Sequence, residues 1–264
     1  VAWTSLRSAV YGDVMHHKFE QSFLKGDFLK VLVVGASGAT GRLVVDKLLS
    51  QGVEVNAIVR SLDSLPENPN LLKIQSSVHE LSSEEMKRYV KGCGAVVSCL
   101  GHNLTFKGMF GMPRLLVTET IECICSAIQS NNADRPTKVI LMNTTGNSNR
   151  DIPEKPPLSQ RIVVAILRAL LPPHLDNEKA ADFLRTKIGQ NNKTIEWVAV
   201  RPDALTDETE ITEYDVYPSP VRNAIFDSGA TSRINVGSFM AELILDESTW
   251  LKWKGHMPVI YNHA

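Results

Sequence analysis

The chain has 264 residues, 43% of them hydrophobic, enough to bury one large core, and α/β folds cover this length as a single domain. Its 28 Lys and Arg nearly balance its 29 Asp and Glu, leaving a formal charge of -1, so there is no strong positive field to hold a polyanion and nucleic acid is excluded as the main partner. The most apolar stretch, residues 162–171, is broken by Arg168 and stopped by Pro172-Pro173, short of the ~20 residues a membrane helix needs, so a soluble protein without a membrane partner is expected.

Residues 1–27 carry Trp3, Tyr11, Phe19, Phe23 and Leu24 among polar neighbours. They are read as an N-terminal extension, either a helix packed on the core or the end left after a transit sequence is removed, with the domain proper over 28–264. Lys30–Val34 is a short apolar run ending at Gly35, and helical periodicity begins after Gly41 with Leu43, Val44, Leu48 and Leu49. Further strands are predicted at Val53–Val59, Leu71–Ile74, Ala95–Cys99, Lys138–Met142 and Glu196–Val200. Helices are predicted at Ser82–Val90, Leu115–Ser130 and Asn177–Lys187, and an apolar helix at Ser159–Leu171 is read as docked on the core or lying over a substrate. The Pro-rich places, 153–157 and 172–173, read as loops. Short buried strands alternating with amphipathic helices require a parallel sheet covered on both faces, so the expected class is a doubly wound α/β fold of Rossmann type, with a small C-terminal substrate lobe.

Cys93, Cys99, Cys123 and Cys125 show neither Cys-x-x-Cys nor a paired His spacing. They read as reduced, mostly buried thiols, with no metal site, in a reducing compartment such as cytoplasm or an organelle stroma or matrix.

Gly35-Ala36-Ser37-Gly38-Ala39-Thr40-Gly41 places three glycines at the turn from a strand into a helix. There the backbone can approach a pyrophosphate, which then faces the exposed N–H groups and positive end of the helix. About 20 residues on, an NAD enzyme usually offers a carboxylate to the ribose, whereas an Arg accommodates a 2′-phosphate. This chain reads Ile58-Val59-Arg60-Ser61, and Arg42 is a second candidate phosphate contact, so NADP(H) is the expected cofactor. At the carboxyl edge, Ser77 and Val78 are expected beside the adenine half, and Cys99, Leu100 and Gly101 beside the nicotinamide half. His102 is either a proton donor there or an ordinary hydrogen-bonding group.

These features resemble the short-chain dehydrogenase/reductase superfamily, in the atypical NAD(P)-binding branch that includes NmrA-like proteins and flavin reductases of the biliverdin reductase B type. The resemblance rests on the glycine loop, Ala57-Ile-Val-Arg60, Val96-Val-Ser-Cys-Leu-Gly101, Trp197-Val-Ala-Val-Arg201-Pro202 and Arg233-Ile-Asn-Val-Gly237. It implies that Arg201 and Pro202 end a strand beside the nicotinamide pocket, with Asp203 onward on the substrate side. It also implies that the catalytic hydroxyl falls within Asn143–Gly146, where Thr144 and Thr145 are the candidates, able to bond a carbonyl oxygen as charge develops on it.

Typical members of that superfamily carry a Tyr with a Lys four residues on, the lysine lowering the phenol's pKa. No tyrosine of this chain has a lysine at that spacing. In the expected neighbourhood Lys179 stands four after Leu175, so the lysine can survive to hold the nicotinamide ribose, while His174 can act as acid in place of the phenol; sliding the match puts Glu178 or Asn177 there instead. The other reading takes Asp176-Asn177 as a helix N-cap and Lys179 as solvated. The expected function is an NADP(H)-dependent oxidoreductase passing hydride to or from a flavin-, quinone- or carbonyl-like small molecule. A non-catalytic NADP(H) sensor of NmrA-like type is the alternative, and a nucleotide-linked epimerase or dehydratase ranks behind both.

Overall fold

The computed structural model describes residues 29–102, 113–131, 133–155 and 157–263. β1 (Lys30–Val34) is buried in all but its first residue, which its Val-Leu-Val-Val sequence permits because both faces of a parallel central strand are covered. It pairs in parallel with β2 (Glu54–Val59) on one side and β4 (Ala95–Ser98) on the other. Beyond β2 lies β3 (Leu71–Gln75). Beyond β4 come β5 (Thr137–Met142) and β6 (Ile195–Pro202). The late strands are β7 (Ala204–Thr206), β8 (Tyr214–Tyr217), β9 (Ala230–Ser232) and β10 (Val259–Asn262). The main sheet has the order β3-β2-β1-β4-β5-β6-β10-β8, parallel except for β8, and β7 pairs with β9 in a separate two-stranded sheet. The doubly wound fold and small C-terminal lobe expected from the sequence are therefore present.

Alternate residues of β1 feed two cores, as strand geometry requires. Val31 and Val33 pack with α1 (Ala39–Ser50), α6 (Arg233–Leu245) and α7 (Glu247–Trp253). Leu32 and Val34 pack with α2 (Ser83–Val90), α3 (Leu116–Ser130) and α5 (Pro172–Phe183). A Cβ on Gly237 would lie 3.1 Å from that of Leu43, so this glycine lets α6 cross α1 closely.

The predicted strands and helices are found with ends moved by a residue or two, with one exception. α4 (Leu158–Leu170) is followed after a single residue by α5, whose first residues are Pro172 and Pro173. These prolines open a helix, where a missing N–H costs nothing and φ is already suitable. The expected helix start at Asp176-Asn177 is thereby corrected: Asp176 lies inside α5 and is fully buried. α5 then widens into a π-helical turn, Leu184–Ile188, that closes at Gly189. The chain runs from β1 outward to β2 and β3 on one side, then crosses to β4 on the other. The crevice of the sheet thus opens where β1 and β4 end, at Gly35 and Cys99.

Candidate functional site

Gly35 leaves β1 with φ 72°, and a Cβ there would stand 2.7 Å from the carbonyl carbon and oxygen of Cys99, so backbone conformation and close approach both demand glycine. The Gly38 amide donates to the Gly35 carbonyl at 3.0 Å, and Gly38 then caps α1 without a side chain. Gly41 sits in the first turn, where a Cβ would fall 2.1 Å from the Gly35 oxygen. The first ladder bond runs from Arg42 N–H to the Gly38 carbonyl, so the amides of Ala39, Thr40 and Gly41 precede the ladder, and no acidic residue stands in that turn. A helix end built this way attracts an anion, and a loop too tight for side chains is what a pyrophosphate needs. Ser37 is half-buried beside it, Gly38 and Ala39 are exposed, and Thr40 is buried.

The Arg42 guanidinium folds back to donate to the Ser37 carbonyl at 3.2 Å, so its charge lies along the loop. Arg60 is exposed at the end of β2. Ser77, whose hydroxyl meets His79 Nδ1 at 2.9 Å, and Val78 begin a short 3₁₀ turn just past β3. Cys99 and Leu100 are half-buried past β4, and burial pushes the Cys99 thiol up to about 12, so it is uncharged. Gly101 is exposed, with open space where a Cβ would stand.

His102 is not a free group at the mouth. Its side chain is 4% exposed and its Nε2 meets Asp176 Oδ2 at 2.8 Å. That carboxylate also accepts the Val117 and Thr118 amides, at 2.8 and 2.9 Å, and the Thr118 hydroxyl at 2.7 Å. Asp176 therefore caps the first turn of α3 from another helix and pins His102 into the wall, a role its sequence position does not announce.

Past β5, the chain is locked by Asn143, whose side chain donates to the Asn177 carbonyl at 2.9 Å and accepts the Thr144 amide at 2.8 Å. The two threonines then separate. Thr145 is 4% exposed and its hydroxyl donates to Asp203 Oδ1 at 3.1 Å. Burial raises the Asp203 carboxyl, while bonds from Gly229, Thr145 and Ala204 oppose that rise. Thr144 is half-buried, and its hydroxyl accepts the Gly146 amide at 3.2 Å, leaving its own proton to donate.

A point built as a Cβ on Gly146 lies 3.2 Å from His174 Cε1 and 3.7 Å from both His174 Nδ1 and Thr144 Oγ1. The structure thus brings His174 to the Thr144 loop. Its Nε2 is buried and has no hydrogen-bond partner. Burial, the largest influence, holds its imidazole below the ordinary 6.5, with Glu178 pulling the other way. Lys179 is exposed on α5, three residues after Asp176 and so on the same flank as the carboxylate that holds His102. Pro202 ends β6, and its carbonyl takes the Thr145 amide at 3.2 Å. Arg201 before it is fully buried, bound to Glu154 and to the carbonyls of Asn147, Met257 and Pro218. It is a girder beneath the site.

Among the described residues no group of His, Cys, Asp or Glu could hold a metal ion, and no helix is long and apolar enough to cross a membrane. Fold and loop together define a dinucleotide-binding Rossmann protein. The model of the NAD(P)H-binding family matches residues 35–247, and the chain belongs to that family. No curated protein matches it. Its fold is similar to that of a wide-type short-chain dehydrogenase/reductase from Veillonella parvula solved with NADP, at 15% identity and TM-score 0.65 over 89% of this chain and 94% of that one. It is also similar to a candidate NADH-flavin reductase from Streptococcus pneumoniae, at 20% identity and TM-score 0.61 over 89% of this chain and all of that one (100%). A third likeness is to an oxidoreductase from Lactococcus lactis, at 17% identity and TM-score 0.63 over 89% and 91%.

Proposed function

We propose that the protein is an NADP(H)-dependent oxidoreductase that exchanges hydride with a small organic acceptor of flavin, quinone or carbonyl type. The observation that carries this reading is that the His174 ring and the Thr144 hydroxyl both lie within 3.7 Å of one point at Gly146, on the loop after β5. The bound nicotinamide supplies or accepts the hydride.

The chain's own residues do the rest. The amides of residues 38–41 hold the pyrophosphate, Arg42 and Arg60 the 2′-phosphate, Ser77 and Val78 the adenine side, and Cys99–Gly101 the nicotinamide side. Lys179 reaches the nicotinamide ribose. Thr144 donates its hydroxyl to the acceptor oxygen, and His174 delivers the proton that oxygen gains, in place of the missing tyrosine. Thr145 and His102, sequence candidates for catalysis, act instead through the contacts that hold the loop and the wall. The likeness to the Veillonella protein solved with NADP and to the Streptococcus candidate NADH-flavin reductase supports the cofactor and the reaction class.

The test is NADPH oxidation by the purified protein against flavins, quinones and aldehydes, with Thr144→Val and His174→Gln beside the parent. Turnover that falls on both substitutions while NADPH affinity holds is expected. Tight binding of NADPH with no turnover on any acceptor would favour the sensor, for which the absent Tyr-x-x-x-Lys pair speaks.

A further inference from the structure

The loop after β5 is fastened to α5 at both ends. At its start the Asn143 side chain donates to the Asn177 carbonyl at 2.9 Å. At its far end the Arg150 guanidinium reaches the carboxylates of Glu178 and Asp182. Thr144 and Gly146 lie between these two ties, and Asn177 and Glu178 follow His174 along α5 by three and four residues. Residues four apart on a helix are neighbours on one face. The carboxylate that receives Arg150 therefore stands one turn from the ring that meets Thr144 at Gly146.

Glu178 is also where α4 arrives. Arg168 donates Nε and an Nη2 proton to its two oxygens, each at 2.7 Å, a paired geometry that fixes direction as well as distance. The Glu178 side chain is 12% exposed, so one largely covered carboxylate gathers the three segments around the site: the Thr144 loop, α4 and the helix of His174. Its charge acts on the ring as well. Burial holds the His174 imidazole down, Glu178 pulls it up, and Arg168 pushes it down with a smaller effect than Glu178. The other charged groups on the elements packed against α5 are either paired or in water. Asp176 is spent on His102 and the first turn of α3, and Asp182 on Arg150 and Arg185. Arg161 on α4, Glu119 and Glu122 on α3, and Lys179 on α5 itself are exposed.

We propose that Glu178 is a positioning residue of the reaction: held by Arg168 and Arg150, its carboxylate sets the Thr144 loop against α5 and places a negative charge one turn from His174. The inference rests on the oxidoreductase reading above and adds a residue to that site. A hydroxyl and a proton donor that serve one acceptor oxygen must keep their separation, which a carboxylate bonded to both segments enforces. A covered imidazolium facing a guanidinium also needs an anion close by to persist.

The test follows the His174 ring by NMR in the isotope-labelled whole chain, its resonance assigned by its loss in His174→Gln, and compares the parent with Glu178→Gln, Arg168→Gln and Arg150→Gln. Glu178→Gln and Arg168→Gln break the same ion pair, so loosening alone would move the ring's titration the same way in both, whereas charge moves it in opposite ways. The midpoint should go to lower pH in Glu178→Gln and to higher pH in Arg168→Gln. The NOE between His174 Hε1 and a Gly146 Hα should weaken in Glu178→Gln and in Arg150→Gln, which cut the tie between loop and helix. With an acceptor that the parent reduces, Glu178→Gln should lose about tenfold in kcat at neutral pH, less than the roughly 10²–10⁴ that a general acid contributes, while the acceptor KM stays within about twofold. Midpoints that move together or not at all, an NOE absent from the parent or at full strength in both variants, or a loss confined to KM would overturn the proposal. The titration and the NOE need no turnover: a parent inert to every acceptor counts against the oxidoreductase reading, and these two readouts still decide the role of Glu178.

Discussion

At the scale of single residues, the site divides between groups that face open space and groups committed to the scaffold. Arg60 is exposed at the end of β2, where the proposed function puts the ribose phosphate, and a guanidinium can meet a phosphate with paired hydrogen bonds. Arg60→Glu should weaken NADP(H) by roughly tenfold to a hundredfold, the worth of one charged hydrogen bond, and leave NAD(H) nearly unchanged; equal losses in fluorescence titrations would remove Arg60 from the site. His174 yields a pH prediction. Its folded value is held below the unfolded 6.5 by burial, so the unfolded state binds more protons between the two. Stability is therefore full above 6.5 and is lost as pH falls through the lowered value, and His174→Gln should flatten that part of a urea-midpoint profile. On the proposed role the protonated ring is the donor in the reductive direction, so kcat/KM should fall as pH rises through the same value, and a limb that persists in His174→Gln would contradict the assignment.

At the scale of elements, what the sequence made legible was local. The turn from β1 into α1 could be read because the positive φ of Gly35 and the packing of Gly38 and Gly41 on the Gly35 carbonyl are requirements set within seven residues of chain. The start of α5 could not, because Pro172-Pro173 reads equally well as a loop or a first turn until packing decides. The contacts that Asp176, Asp203 and Arg201 make were illegible for another reason: their partners are distant in sequence, Val117 at 59 residues, Thr145 at 58 and Glu154 at 47. The same separation hid the difference between Thr144 and Thr145, since the partner that commits Thr145 to the scaffold is Asp203. Removing the cap on α3 tests this directly. Asp176→Ala strips the carboxylate from two helix amides, a hydroxyl and His102, and should cost about 3 kcal/mol or more, the sum of a lost cap and buried groups left unpaired, read as a lower urea midpoint; a loss under half that would mean the network is replaceable by water.

At the scale of the molecule, the two cores on either face of one sheet hold the crevice at Gly35 and Cys99 in place before any ligand arrives. A preformed site of this kind couples cofactor affinity to stability. At a hundred times its dissociation constant, NADPH should add about 2.7 kcal/mol, which for a domain of this size is a melting shift of roughly 5–10 °C. NADH at the same concentration should shift it far less.

The measurement that bears most directly on the central claim is a titration of the purified protein with NADPH, NADP, NADH and NAD, followed in the same cuvette by NADPH oxidation against flavins, quinones and aldehydes. The account predicts tighter binding of the phosphorylated cofactors and turnover on at least one acceptor. Binding of none of the four would contradict it.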